Sequence, residues 1–254
     1  MITISIDPVA FLNVRWYGIF IALAITVVVL WTMREVRRGA NLSYDTVFTA
    51  ALVGIPSGIV LSKLLHVIDE RITTGYWGEI FSGAGLTIYG AVLGVALAIW
   101  IYSKLGNFQF GYLADLIAPG AILAQAIGRV GCTINGCCYG IPTSLPWGII
   151  YTNPNSYAPL GIPVHPTQIY ELIFCLIGFT LLLKLRGRLK PDGSLFLVYL
   201  SLYSLWRLGS DFLRAGTPFL FGLHQVQVIA LIVLAVTIPL LVSRTRWTKS
   251  SAGT

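Results

Sequence analysis

Seven stretches of about 20 mainly apolar residues, near 14–33, 45–65, 84–103, 112–128, 168–185, 194–210 and 225–243, dominate this sequence. About 20 such residues is the length a helix needs to cross the hydrocarbon core of a bilayer. In lipid, every backbone N–H and C=O must be satisfied within the protein, which restricts runs of this kind to helices or closed barrels, and runs this long are helical. Composition excludes a soluble globule. Hydrophobic residues make up 56% of the 254 residues and charged ones only 11%, against roughly 25% charged residues in soluble domains. The mean hydropathy is +0.79. The expected fold is therefore an all-α polytopic membrane protein of about seven transmembrane helices, forming one integral membrane domain over residues 1–243 with a polar tail at 244–254.

Charge placement gives that array an orientation. Lys and Arg outnumber Asp and Glu by 17 to 10, a net charge of +7. On an exposed surface this excess suggests a polyanion, but here the bases sit between spans. Arg34, Arg37 and Arg38 follow the first run, Lys104 the third, Lys184, Arg186, Arg188 and Lys190 the end of the fifth, and Arg244, Arg246 and Lys249 the seventh. With seven crossings these linkers share one face, which the Lys/Arg bias of cytoplasmic loops makes the inner one. The N-terminus is then outside, the C-terminus is cytoplasmic, and no nucleic-acid partner is needed. No base precedes Arg15, so the basic region of a cleavable signal peptide is missing and the first span is expected to be retained.

Six bases run against this rule: Arg15, Lys63, Arg71, Arg129, Arg207 and Arg214 fall in or near the outer half. A deep membrane arginine costs roughly 2.5 kcal/mol or more unless it is compensated. Glu171 and Asp211 are the carboxylates placed to compensate Arg129 and Arg207. Two arginines in one outward-facing pocket also suit a lipid phosphate, which a guanidinium fork holds bidentately.

Three segments concentrate the remaining polar chemistry. The first runs from Gly128 through Arg129, Gly131, Cys132, Asn135, Gly136, Cys137 and Cys138 to Gly140, where the fourth span meets a long outer loop at about 129–165. Its glycines let backbone approach a ligand closely, and Asn135 offers both a donor and acceptors. The second, His165-Pro-Thr-Gln-Ile-Tyr-Glu171, opens the fifth span; Thr167 is expected to cap that helix and Glu171 to favour its dipole. The third places Tyr203, Arg207, Asp211 and Arg214 at four- and three-residue intervals on one helical face, where Arg207 and Asp211 are also spaced to neutralise each other. Pro56 and Pro119 are expected to kink their spans. The Gly54/Gly58 and Gly90/Gly94 pairs are expected to let helices pack closely.

Taken in order, these segments resemble the prolipoprotein diacylglyceryl transferase family of bacterial inner membranes. The resemblance covers most of the chain: Arg15-Trp-Tyr17-Gly18, Tyr89-Gly90-Ala91, Asp115 to Pro119, the Gly128–Gly140 block, His165 to Glu171, and Arg207 with Asp211. It implies transfer of a diacylglyceryl group from phosphatidylglycerol to the lipobox cysteine thiol of a preprolipoprotein signal peptide, forming a thioether at the outer leaflet. It also implies catalytic roles for Arg129, Arg207, Tyr89 and Asp211, and substrate binding by Tyr17, Gly90, Gly131, Asn135, Gly136, Gly140, His165, Glu171 and Tyr203. Beyond the two substrates and membrane lipids it implies no partner, no cofactor and no metal. Four positions depart from the usual pattern, the mildest being Asp211, where glutamate is commoner. Tyr89 stands where the family has histidine, and Cys132 and Cys137 replace the asparagine and glutamate of a GRxGNFxNGE block. Those departures keep two further readings in play, a phospholipid-dependent transferase with another acceptor and a non-catalytic lipid-binding or thiol-sensing module.

Cys132, Cys137 and Cys138 admit a structural disulfide on the oxidising outer face, a reactive thiol, or a metal site. Three thiols alone cannot close a zinc site of four protein ligands.

Overall fold

The computed structural model describes residues 1–12, 14–75 and 88–247, with the side chains of residues 69, 72–74, 88 and 89 outside the described residues. Seven α-helices carry the chain: α1 (Trp16–Arg37), α2 (Tyr44–Thr74), α3 (Ile88–Leu105), α4 (Phe110–Asn135), α5 (Thr167–Leu185), α6 (Ser194–Ser210) and α7 (Gln225–Arg244). Among the described residues, each apolar run of the sequence corresponds to one of these helices. Five are long and apolar enough to cross a membrane, namely α1, α2 over Tyr44–Ile68, α4, α5 and α7, and α3 contributes a shorter apolar stretch over Gly90–Leu105. The protein is an all-α polytopic membrane protein. One boundary differs from expectation in a way that matters: α4 continues through Asn135, so the first residues assigned to the outer loop, Arg129 among them, are helical.

The helices fall into two compact units, one of Thr32–Tyr112 and the other of Met1–Trp31 with Leu113–Thr254. In the first unit, α2 begins at Ser43, whose hydroxyl accepts from the Thr46 N–H at 3.0 Å, and ends at Gly75 in the left-handed region. Small residues bring α2 and α3 into backbone contact. A Cβ at Gly90 would strike the Ser62 backbone, and one at Gly94 would lie 2.5 Å from the Ser57 carbonyl oxygen. The paired glycines of both helices are thus packing devices, as their spacing suggests.

In the second unit, an apolar core of Ala118, Ile122, Ala126, Cys175, Leu182, Leu195 and Tyr199 joins α4, α5 and α6. Gly120 leaves room for the Trp31 ring of α1, whose indole N–H donates to the Leu116 carbonyl at 3.1 Å. Between α4 and α5 the chain forms strands β4 (Ile149–Tyr151) and β5 (Pro163–Val164). The N-terminal β1 (Ile2–Ile4) pairs parallel to β4, and β5 pairs antiparallel on its other edge. Two-residue and three-residue pairs complete the chain: β2 (Val9–Phe11) with β3 (Val14–Arg15), and β6 (Leu189–Lys190) with β7 (Arg246–Trp247). Ile149, Tyr151, Ala158 and Val164 form a small core beneath the sheet, against which Ile169 of α5 also packs.

The start of α6 is secured from another helix. Gly193, its N-cap, has no side chain to cap with, and the Asp115 carboxylate of α4 accepts instead from the Gly193 and Phe196 N–H groups, each at 2.8 Å. Removing a capping carboxylate leaves these donors unsatisfied. Asp115→Ala is expected to lower stability by about 1–2 kcal/mol, read as a fall in the thermal unfolding midpoint of detergent-solubilised protein.

Candidate functional site

Glu171, in the second turn of α5, is the carboxylate on which α4, α5 and α6 converge. Its Oε1 accepts from Arg129 Nη2 of α4 and from the Tyr203 hydroxyl of α6, both at 2.7 Å, and its Oε2 lies 3.4 Å from Arg207 Nη1 of α6. One turn further along α6, Arg207 Nη2 pairs with Asp211 Oδ1 at 2.7 Å, and Arg214 Nη1 approaches the same oxygen at 3.8 Å. Arg207, Glu171 and Asp211 are almost completely buried. The sequence expectation that Glu171 and Asp211 compensate the membrane arginines therefore holds in the geometry.

Counting charges across this network gives its chemical character. Three guanidinium groups, Arg129, Arg207 and Arg214, face two carboxylates, Glu171 and Asp211. One positive charge is left in excess. The Nε of Arg207 is buried and makes no hydrogen bond among the described residues. Leaving a buried donor on a charged group unsatisfied costs free energy.

The loop beyond α4 is bound to this network on its other side. Gly136 and Cys138 both adopt left-handed φ, +69° and +63°, and turn the chain back over the end of α4. Cys138 is a non-glycine residue in that conformation, and its neighbours hold it there. Thr167 Oγ1 donates to the Cys138 carbonyl at 2.7 Å, and Gln168 Nε2 to the Cys137 carbonyl at 2.8 Å. Thr167 is thus a tether for the loop, and α5 starts at Pro166 with no side-chain cap, contrary to the capping role expected of Thr167. Gly136 and Gly140 have steric reasons for being glycine: a Cβ would strike Ser156 Oγ at the first, and at the second would lie 2.5 Å from both His165 Cβ and the Leu213 carbonyl oxygen.

All four cysteines carry unpaired sulfurs in this structure. The sulfurs of Cys132, Cys137 and Cys138 lie within 4.8 Å of one another, and Arg129 Nη1 reaches Cys132 Sγ at 3.7 Å.

The other expected residues are placed as follows. Asn135 is buried and accepts from Arg15 Nη1 at 3.0 Å; Arg15 also stacks over the Tyr157 ring at 4.3 Å. At Gly131 a Cβ would meet Phe20 Cβ at 2.8 Å and Tyr17 Cα at 3.3 Å, so this glycine allows α1 to approach α4 at the level of Tyr17. His165 faces the Tyr170 hydroxyl at 3.4 Å and joins no ion pair among the described residues. Gly90 belongs to the α2–α3 contact, and the side chain of Tyr89 lies outside the described residues. Sequence reasoning missed Tyr151, whose phenol donates to the Thr133 carbonyl at 3.1 Å and also meets Gln168 at 3.4 Å. Burial pushes this phenol up, keeping it a neutral donor. A tyrosine in an outer strand carries no sequence signal of such a role.

Comparison with known proteins identifies the family. Residues 3–243 match the prolipoprotein diacylglyceryl transferase family. A phosphatidylglycerol–prolipoprotein diacylglyceryl transferase of Dehalococcoides mccartyi is 50% identical over 99% of this chain and 98% of its own length. Proteins of the same name from Clostridium tetani and Clostridioides difficile are 40% and 36% identical, over 82% and 89% of this chain and 83% and 90% of their own lengths. With Arg129, Arg207, Glu171 and Tyr203 gathered into one network and a match of this extent, the chain belongs to the prolipoprotein diacylglyceryl transferase family.

Proposed function

We propose that this protein transfers the diacylglyceryl group of phosphatidylglycerol to the lipobox cysteine thiol of preprolipoproteins at the outer leaflet of a bacterial inner membrane. The observation that carries this reading is the buried arginine network, with one positive charge in excess and an unpaired Nε on Arg207. A phosphodiester is a monoanion of matching charge. In the reaction the substrate sulfur forms a bond to the terminal glyceryl carbon, the bond from that carbon to the phosphate oxygen breaks, and glycerol phosphate leaves with the electron pair. Arg129 and Arg207 are already fixed by Glu171, so they meet the charge growing on the leaving phosphate without reorganising. Glu171 is a positioning residue in this scheme. Tyr203 orients it, Asp211 holds Arg207, and Tyr17, Asn135 and His165 shape the surrounding pocket, with Tyr89 assigned a hydrogen-bonding role.

The charge map supports the placement. If all seven helices cross, the basic ends of α1, α3, α5 and α7 lie on the cytoplasmic side under the positive-inside rule. The end of α4, the start of α5 and the end of α6, which carry the network, then face outward, with the N-terminus outside and the C-terminus inside.

The test is a nanodisc assay combining purified protein, labelled phosphatidylglycerol and a lipobox peptide, with mass spectrometry for the diacylglyceryl thioether. Arg129→Ala is expected to lower turnover by about 10²–10³, the cost of losing one preorganised charge-stabilising group. Turnover in that variant equal to the wild type would overturn the phosphate-binding assignment. Glu171→Gln keeps the shape but leaves three guanidinium groups against one carboxylate. It is expected to cost about 3–5 kcal/mol of stability, as breaking a buried ion pair does, measured by thermal unfolding beside Asp115→Ala.

A further inference from the structure

The three clustered thiols touch the arginine network only through the 3.7 Å contact of Arg129 Nη1 with Cys132 Sγ, and a disulfide would occupy only two of them. We propose that Cys132, Cys137 and Cys138 bind a thiophilic d10 metal ion, Zn(II) in the first instance, as a three-thiolate site whose fourth position takes the thiol of the incoming peptide.

Geometry carries the assignment. Tetrahedral zinc with Zn–S distances near 2.3 Å sets its sulfurs about 3.8 Å apart, and the three sulfurs here already lie within 4.8 Å of one another. Their backbones are held in place: Cys132 sits in the last turn of α4, the left-handed Gly136 and Cys138 fold the chain back, and Thr167 and Gln168 tether the carbonyls of Cys138 and Cys137. Soft thiolates select ions of this class over hard cations. Cys132 is buried, while Cys137 and Cys138 are partly exposed, which leaves one side of the cluster accessible.

The chemistry follows from ligand count. Three protein ligands and one open position is the arrangement of a catalytic zinc site, whereas a structural site is closed by four. A thiol entering the fourth position is deprotonated by the metal; its proton passes to solvent or buffer, and its sulfur remains a nucleophile. That sulfur then forms the S–C bond as the C–O bond to phosphate breaks, with no change of oxidation state at the metal. Arg129 joins the two halves, one of its terminal nitrogens lying 3.7 Å from Cys132 Sγ and the other 2.7 Å from Glu171. The catalytic part of this inference rests on the proposed transfer reaction; the metal site itself does not.

The experiment uses the full-length protein in detergent, reduced with a non-coordinating phosphine. Bound zinc is measured by mass spectrometry, and Co(II) is substituted to report coordination. We expect one zinc per chain and, with Co(II), thiolate charge-transfer bands with the d–d bands of a tetrahedral site. A lipobox peptide with a free cysteine should shift those bands, and the same peptide with serine should leave them unchanged. Cys138→Ser should weaken zinc binding at least about tenfold, since even loss of an outer partner costs 10–100-fold. Stripping the metal should lower transfer at least about tenfold, with zinc restoring it, on the same scale. Absence of stoichiometric zinc and of the cobalt bands in reduced wild-type protein would overturn the site, as would a Cys132–Cys137 or Cys132–Cys138 disulfide in protein isolated with its thiols blocked. Cobalt bands indifferent to the cysteine peptide, or full transfer by stripped protein, would overturn the thiol-binding role. If the metal-loaded protein shows the peptide-dependent bands yet makes no thioether, the metal site stands and the transfer reaction fails.

Discussion

The shared carboxylate of Glu171 is the constraint from which the rest of the site follows. Arginines on two different helices compete for its two oxygens, and the Tyr203 hydroxyl takes the remaining geometry. None of these groups is tolerable alone at membrane depth, because an ionised side chain removed from water loses several kcal/mol of solvation that only close partners offset. Pairing therefore fixes α4, α5 and α6 at a common level as firmly as their apolar core does. A network of this kind is weak evidence for stability, since well-packed apolar residues often do as well. Under the proposed function, its value lies in a fixed array of charge that would meet the anionic substrate.

The outer segment applies the same economy in neutral chemistry. Its small sheet and core provide a rigid floor, and the Thr167 and Gln168 side chains bind its first turn to α5. Those two residues lie three and four positions before Glu171. One helical start thus positions both the thiol-bearing loop and the carboxylate hub, so a shift of α5 would disturb both together.

Much of this was legible in the sequence, for reasons that separate cleanly. The helices were readable because twenty apolar residues in a row have few other solutions in lipid. The Arg207–Asp211 pair was readable because a four-residue interval places two side chains on one helical face, and the structure brings them to 2.7 Å. Glu171 was readable as a compensating charge, as a residue favouring the α5 dipole and, by resemblance, as a substrate-binding residue, but its role as a hub was not. Its contacts with Arg129 and Arg207 span 42 and 36 positions, a separation that no local pattern encodes. Thr167 was misassigned because a threonine after proline at a helix start favours a cap, while the tertiary acceptor, the Cys138 carbonyl, has no signature in sequence. The convergence of three thiols was hidden for a related reason. A Cys-x4-Cys-Cys spacing gathers its sulfurs only if the chain reverses at once, and that reversal depends on a left-handed cysteine as well as a left-handed glycine.

The Arg129 guanidinium gives these features a common purpose. Its two terminal nitrogens address different chemistry, one the carboxylate hub and the other the Cys132 sulfur. A phosphate engaged by Arg129 is consequently held within a few ångströms of the thiol cluster. For a displacement at carbon, the entropic cost of bringing nucleophile and leaving group to one centre is a large part of the barrier, of order 7–11 kcal/mol in well-oriented systems. Under the proposed reaction, a fork that fixes the leaving group beside the thiol cluster would remove much of that cost before the substrates arrive. Lysine, a point charge on a flexible stem, cannot span both partners at once, which is the physical reason for an arginine at position 129.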